Sequence, residues 1–246
     1  MRVAALYDIH GNLPALEAVL EEVHLARVDA IVIGGDVFPG PMAIETLEKL
    51  LALDLPLQFI RGNCEGELLA VAAGDEPAGV PERYRSTYRW LAGRLNAERR
   101  RRIGEWPASL RLHIDGVGSV LFCHATPHSD TMTFTRLTPE ARLTPIFAGT
   151  GPLVICGHTH MPFDRTIGDV RVVNAGSVGM PFGEPGASWL LLGPDVQARR
   201  TEYDRARAAD RIRATDYPDR EEFADRYVLH PPSEEEMLQA FGGADE

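Results

Sequence analysis

The sequence predicts an α/β protein with a parallel front half and a mostly antiparallel back half. Three features of the 246-residue chain carry that prediction. Short apolar runs alternate with amphipathic stretches up to residue 65, a polar helix-prone segment interrupts them, and paired runs separated by tight turns follow Trp106-Pro107.

In order, apolar runs at 3–7, 30–33 and 57–60 are separated by helical stretches at 13–24 and 41–51, which is βαβαβ periodicity. Asn12 is placed to cap the first helix and Pro41 suits the first turn of the second. Residues 66–108 read as a helical insertion or cap, broken by Pro77 and Pro81, with "YRSTYRWLAGRLNAERRRRI" as its longest amphipathic piece. Hairpins are expected for 110–114 with 120–123, 163–167 with 170–173, and 188–192 with 196–201. One main domain is expected over 1–203, and 204–246 reads as a helical extension packed on it, whose last stretch docks as a short helix or frays.

Composition narrows the function. The chain is 44% hydrophobic and 25% charged, and no apolar run approaches the roughly 20 residues that span a bilayer. The N-terminus lacks the pattern of a signal peptide, so the cytoplasm is the expected compartment. A formal net charge of −11 disfavours a stable nucleic-acid partner. The run Arg99-Arg100-Arg101-Arg102 reads as a solvated helix face. Cys64, Cys123 and Cys156 form no CxxC pair and read as reduced thiols, the last two as small buried hydrophobes.

The chemistry sits at the ends of the apolar runs. Five of them lead directly into polar signatures: "DIHGN", "GGD", "RGNCE", "HATPH" and "GHTH". In folds built of βαβ units the crevice beyond the strand carboxyl ends binds ligands, so Asp8, His10, Asp36, Asn63, His124, His158 and His160 are expected to converge there. That is more donors than one ion takes from a protein. Imidazole, carboxylate and one amide together suit manganese, iron, zinc or nickel, and argue against an all-oxygen calcium or magnesium cage. Two ions about 3.5–4 Å apart need a shared carboxylate, for which Asp36, after Gly34 and Gly35, is the best candidate.

The order DxH, GD, GN, H, GHxH resembles the calcineurin-like metallophosphoesterases over roughly residues 1–200. The resemblance implies a four-layer αββα sandwich of two mixed β-sheets flanked by helices, with two divalent transition-metal ions at the strand ends, manganese foremost. It implies one ion on Asp8, His10, Asp36 and His160, and the other on Asp36, Asn63, His124 and His158. It also implies a metal-bridging hydroxide as nucleophile, with Asp36, Asn63 and His124 as the catalytic set. Asn174 or Ser177, in the loop "NAGSVG", is a candidate support for the site.

Cys64 departs from the family's commoner Gly-Asn-His-Asp/Glu motif, in which the His protonates the leaving group. Similar small bacterial phosphodiesterases carry "RGNCD", and here Glu65 stands in place of the Asp. Loss of a general acid typically removes 10²- to 10⁴-fold, and poor leaving groups suffer most. The expected function is therefore a phosphodiesterase for small phosphodiesters or nucleotides. Phosphomonoesterase or dinucleoside polyphosphate hydrolase activity is the alternative. A non-catalytic scaffold, as in retromer's scaffold subunit, predicts eroded ligand positions, and all seven are present. Cys64 is a packed thiol or a thiolate near the metals, and Glu65 reads as an acidic residue in a helix's first turn. His128 is a substitute acid or a surface histidine, and Arg61 a contact for substrate phosphate or a structural ion pair.

Overall fold

Each strand at the centre of the molecule is apolar on both faces, because each is covered on both sides. The computed structural model describes residues 1–77 and 79–242, so position 78 of the predicted insertion and 243–246 of the predicted extension lie outside the described residues. In the front half, β1 (Val3–Leu6), α1 (Leu13–Ala26), β2 (Ala30–Ile33), α2 (Ala43–Leu51) and β3 (Leu57–Phe59) follow the expected alternation. The strands β1, β2 and β3 pair in parallel. Along β1, Val3 and Ala5 point one way and Ala4 and Leu6 the other, as the period of two requires. Ala4 and Leu6 pack with Leu16, Val19, Leu47 and Leu50 of α1 and α2, whereas Val3 and Ala5 meet the second sheet.

Next come α3 (Asn63–Ala73), a 3₁₀ turn (Glu82–Tyr84), α4 (Arg85–Ala92) and α5 (Ala97–Gly104). The long amphipathic piece expected here is thus two helices. Asn96 accepts the Arg99 N–H at 2.8 Å and starts α5 afresh, which is why the run does not continue. The arginine run lies on α5, where Arg99 pairs with Glu48, Arg101 with Glu105 and Arg102 with Glu98. Likewise α2 begins after Pro41, at Ala43, with Met42 at its cap, so the proline precedes the first turn.

The remaining elements are β4 (Ser109–Ile114), β5 (Gly118–Cys123), α6 (Glu140–Phe147), β6 (Leu153–Cys156), β7 (Phe163–Ile167), β8 (Val170–Asn174), β9 (Ala187–Leu192) and β10 (Val196–Thr201). All three predicted hairpins form. The back half is mostly antiparallel, as expected, but β5, β6 and β8 pair in parallel at the centre of the second sheet. The strand β6 is wholly buried and is reached from β5 through α6, a crossover that delivers parallel strands. The hairpin β9–β10 joins the first sheet instead, beside β1.

The two five-stranded sheets therefore run β10-β9-β1-β2-β3 and β4-β5-β6-β8-β7. Val120, Phe122, Leu153 and Ile155 face Val3, Ala5 and Val32 across the sandwich. Leu121, Cys123, Val154 and Cys156 turn outward onto Leu143 and Phe147 of α6. Helices, sheet, sheet and helix make the four-layer αββα sandwich. The chain ends in α7 (Arg205–Arg213), α8 (Arg220–Phe223) running into a π-helical turn (Ala224–Leu229), and α9 (Glu234–Gly242). Ala208, Ile212, Tyr217 and Phe223 from this part pack with Leu13 and Met42. Among the described residues, no helix is long and apolar enough to cross a membrane.

Asn12 holds the start of α1 and reaches across to the loop before β9. Its side chain accepts the Ala15 N–H at 3.2 Å and donates to the Gly179 carbonyl at 2.9 Å, fully buried. Asn12→Ala removes a cap and strands two backbone groups, so it is expected to destabilise the protein by about 1–3 kcal/mol, read as a shifted urea midpoint at unchanged slope.

Candidate metal centre

The sandwich brings all seven predicted donors to one end. Asp8 and His10 follow β1, Asp36 follows β2, and Asn63 opens α3 after β3. From the other sheet come His124, directly after β5, and His158 and His160 after β6. Asp8, His10 and His160 have ligand atoms within 4.8 Å of one another, as do Asp36, His124 and His158, and likewise His10, Asp36 and Cys64. His10 Nε2 lies 3.8 Å from Asp36 Oδ2, His124 Nε2 lies 3.4 Å from the same oxygen, and the Asn63 amide oxygen lies 3.0 Å from His124 Nε2. Asp36 thus stands between two groups of donors.

The backbone at these positions is unusual. Asp8, His10, Asp36, His158 and His160 all have positive φ, between 46° and 67°, and Arg27 alone shares this among the other described non-glycine residues. Side chains rarely adopt that region, at a cost of about 1 kcal/mol or more each, and it persists only where surrounding contacts impose it. Here they do. The Asp8 N–H bonds the Gly35 carbonyl, the His10 N–H the Asp36 carbonyl, and the His158 N–H the Asp8 Oδ2 at 2.9 Å. Ser177 Oγ donates to the Asp8 carbonyl at 2.7 Å and accepts the Met180 N–H, while Asn174 Nδ2 donates to the Gly157 carbonyl at 2.6 Å. Both residues of the loop thereby clamp the segments that carry Asp8, His158 and His160.

Glu65 has a larger part than a first-turn acid. Fully buried, its carboxylate accepts backbone N–H groups of Asp36, Val37 and Gly62 at 2.8–2.9 Å and of Phe38 at 3.3 Å. It therefore holds the turn that presents Asp36 against the turn that presents Asn63. Burial and the nearby Asp36 push its carboxyl up to about 7, against the pull of the Gly62 and Asp36 N–H groups. Glycine is needed where these turns meet, because a Cβ on Gly62 falls 2.1 Å from Asp36 Oδ1.

Protons are scarce in the cluster. His124 Nδ1 lies 2.9 Å from the Gly34 carbonyl and His160 Nδ1 2.7 Å from the Met180 carbonyl, which places N–H donors there and leaves both Nε2 lone pairs facing inward. His160 Nε2 then faces His10 Nε2 at 3.2 Å and Asp8 Oδ1 at 3.4 Å. Asp8 Oδ1 is buried with no hydrogen-bond donor, as is His10 Nδ1 with no partner. Lone pairs aimed at one another in a buried space require positive charge between them, and imidazole with carboxylate and amide is a transition-metal donor set. The residues fit two divalent ions. Without metal, a proton takes that role: although burial opposes it, Asp36 and Asp8 push the His124 imidazole up to about 10. Burial drives His10 and His158 down to about 4.

The remaining candidates separate. Cys64, 9% exposed, donates its thiol to Asp36 Oδ2 at 3.0 Å and its N–H to Asp36 Oδ1 at 3.0 Å. Burial and Asp36 raise the thiol well above its ordinary range, so it stays protonated. Arg61 is half-buried beside Gly62, its Nε without a hydrogen-bond partner. His128 lines a separate depression with Arg111 and Ala148 and is not gathered into the cavity that reaches His10, Asn63 and Cys64.

Three outcomes follow from this geometry. His124 carries a proton at neutral pH in the metal-free protein and must lose it to bind metal, so Mn²⁺ binding releases protons and its apparent affinity rises with pH until about 10, measurable by calorimetry in buffers of different ionisation enthalpy. The same shift means that the metal-free fold is stabilised by this proton below pH 6.5 and loses that contribution as pH rises through about 10. Glu65→Gln replaces one accepting oxygen with an NH2 donor that faces backbone N–H donors, and is expected to lower metal affinity about 10- to 100-fold, with a drop in melting temperature.

Comparison with known proteins agrees with this geometry. Residues 1–195 match the profile of the calcineurin-like phosphoesterase superfamily domain. Phosphodiesterase YfcE of Escherichia coli K12 is 25% identical over 205 residues, covering 80% of this chain and 89% of its own. A metallophosphoesterase from Sphaerobacter thermophilus is 26% identical with a TM-score of 0.72, covering 94% of this chain and 99% of its own. A hypothetical protein from Pyrococcus horikoshii OT3 shares the fold at a TM-score of 0.77 and 22% identity, with 94% and 99% covered. With that profile spanning both sheets and every donor block, the chain belongs to the calcineurin-like phosphoesterase superfamily.

Proposed function

We propose that this protein is a two-metal phosphodiesterase acting on small phosphodiesters or nucleotides. The observation that carries the reading is the meeting of two donor groups on Asp36, beside an Asp8 Oδ1 that is buried with no hydrogen-bond donor. One ion is held by Asp8, His10, Asp36 and His160, the other by Asp36, Asn63, His124 and His158, with manganese first and iron, zinc or nickel as alternatives. Two such ions would supply Lewis acidity at the phosphoryl oxygens and an activated water.

The protein's own groups orient and restrict. The Gly34 and Met180 carbonyls fix the His124 and His160 rings, and Glu65 fixes the turn that presents Asp36. Asn63 Nδ2 faces Cys64 Sγ at 3.5 Å, which turns its amide oxygen toward His124. Cys64 keeps its proton and spends it on Asp36, so it offers none to a departing alkoxide. Esters with stable leaving groups are therefore favoured, and kinship with a phosphodiesterase supports the diester reading.

The test is the metal-loaded protein assayed on bis-p-nitrophenyl phosphate beside p-nitrophenyl phosphate. Wild type is expected to prefer the diester, Asp36→Asn to lose about a hundredfold or more on both, and Cys64→His to shift the ratio toward the monoester. Equal inactivity of wild type and Asp36→Asn on every ester contradicts the enzyme reading, and an unchanged ratio in Cys64→His contradicts the account of Cys64.

A further inference from the structure

A cavity of about 250 Å³ opens beside the donor cluster, with His10, Asn63 and Cys64 in its wall. Its other walls come from two distant parts of the chain. Tyr84 and Tyr88 lie in the 3₁₀ turn and α4, while Tyr217 comes from the connection between α7 and α8, Phe223 from α8 and Tyr227 from the π-helical turn. Tyr84 and Tyr227 meet across it, hydroxyl to hydroxyl at 3.3 Å, and join the two parts.

The charge of this lining is one-sided. Glu67, Asp219 and Glu222 contribute carboxylates, and among the described residues no Lys or Arg lines the cavity. Asp219 accepts a hydrogen bond from Thr87 Oγ1, while Glu67 and Glu222 have no ion-pair partner among the described residues. Arg83 lies over the Tyr84 ring at 4.6 Å and Arg226 over the Tyr227 ring at 5.9 Å, neither being part of the lining. Aromatic faces carry negative quadrupole charge and attract cations, most strongly where water is excluded. Three carboxylates add to that attraction and repel any second phosphate.

We infer that this cavity binds one ester arm of the substrate and that this arm carries a positive charge: the substrate class is a phosphodiester of an ammonium alcohol such as choline or ethanolamine. The inference rests on the phosphodiesterase reading above and adds the identity of the group beside the phosphate. Stacking of a nucleobase needs the aromatic walls alone. The unbalanced carboxylates specify a cation.

The test pairs a charged ligand with its uncharged isostere. Choline and 3,3-dimethylbutan-1-ol differ in a nitrogen and a carbon, and calorimetry on the full-length, metal-loaded protein is expected to show choline binding at least tenfold tighter. In turnover, p-nitrophenyl phosphorylcholine is expected to exceed p-nitrophenyl 3,3-dimethylbutyl phosphate at least tenfold in kcat/KM. Glu222→Gln and Tyr227→Leu, both on the cavity wall, are each expected to reduce that ratio at least threefold. Equal binding of choline and the neutral alcohol, or a preference for thymidine 5′-p-nitrophenyl phosphate over the choline ester, overturns the inference. Hydrolysis of bis-p-nitrophenyl phosphate without any choline preference overturns it alone, whereas no hydrolysis of any ester overturns the phosphodiesterase reading, and the choline measurement then still decides what the cavity binds.

Discussion

The crowding of electron-pair donors around Asp36 is the constraint on which the rest of this structure depends. Carboxylate and imidazole groups crowd within 4.8 Å of one another in each donor group, and the His124 and His160 Nδ1 atoms point outward to carbonyls. Such an arrangement is costly in a low-dielectric interior unless positive charge occupies it. A proton on His124 relieves part of it, and the two divalent ions proposed above would relieve the rest. The same crowding ties folding to metal binding, since the energy of the ions is realised only in the folded chain.

The fold is arranged to hold that crowding in place. Two sheets with opposed faces give a rigid platform, and the turns at one end of their strands carry left-handed backbone at five donor positions. Residues outside the donor set hold those turns. Glu65 gathers N–H groups from the Asp36 and Gly62 turns, Ser177 ties the Asp8 turn to Met180, and Asn174 braces the turn after β6. Strain concentrated at one place and opposed by a buried hydrogen-bond shell is the pattern of a site preorganised before its ligand arrives. Cys64 belongs to the same shell, because its thiol completes the hydrogen bonding of Asp36.

Much of this was legible in the sequence for a physical reason: the donors lie just after apolar runs, four of the five wholly or mostly buried, so strand register carries them to the rim. Asn12, as a cap, could be read from its place before a periodic stretch. Glu65 could not, since an acid in a first helical turn looks the same whether it faces solvent or a second turn. The only signal was its position three residues after Gly62, the spacing of a capping box. The parallel centre of the second sheet was hidden because α6 is short and contains Pro145, which masks a crossover as loop. The aromatic cavity was equally invisible, as it forms only when α4 and the C-terminal helices come together.

Whether two cations share Asp36 is decided by anomalous diffraction from crystals of the manganese-loaded protein. Two peaks about 3.5–4 Å apart are predicted, one against Asp8, His10 and His160 and the other against Asn63, His124 and His158, with the Asp36 carboxylate between them. A single peak, or peaks that leave Asp36 uncoordinated, contradicts a shared Asp36.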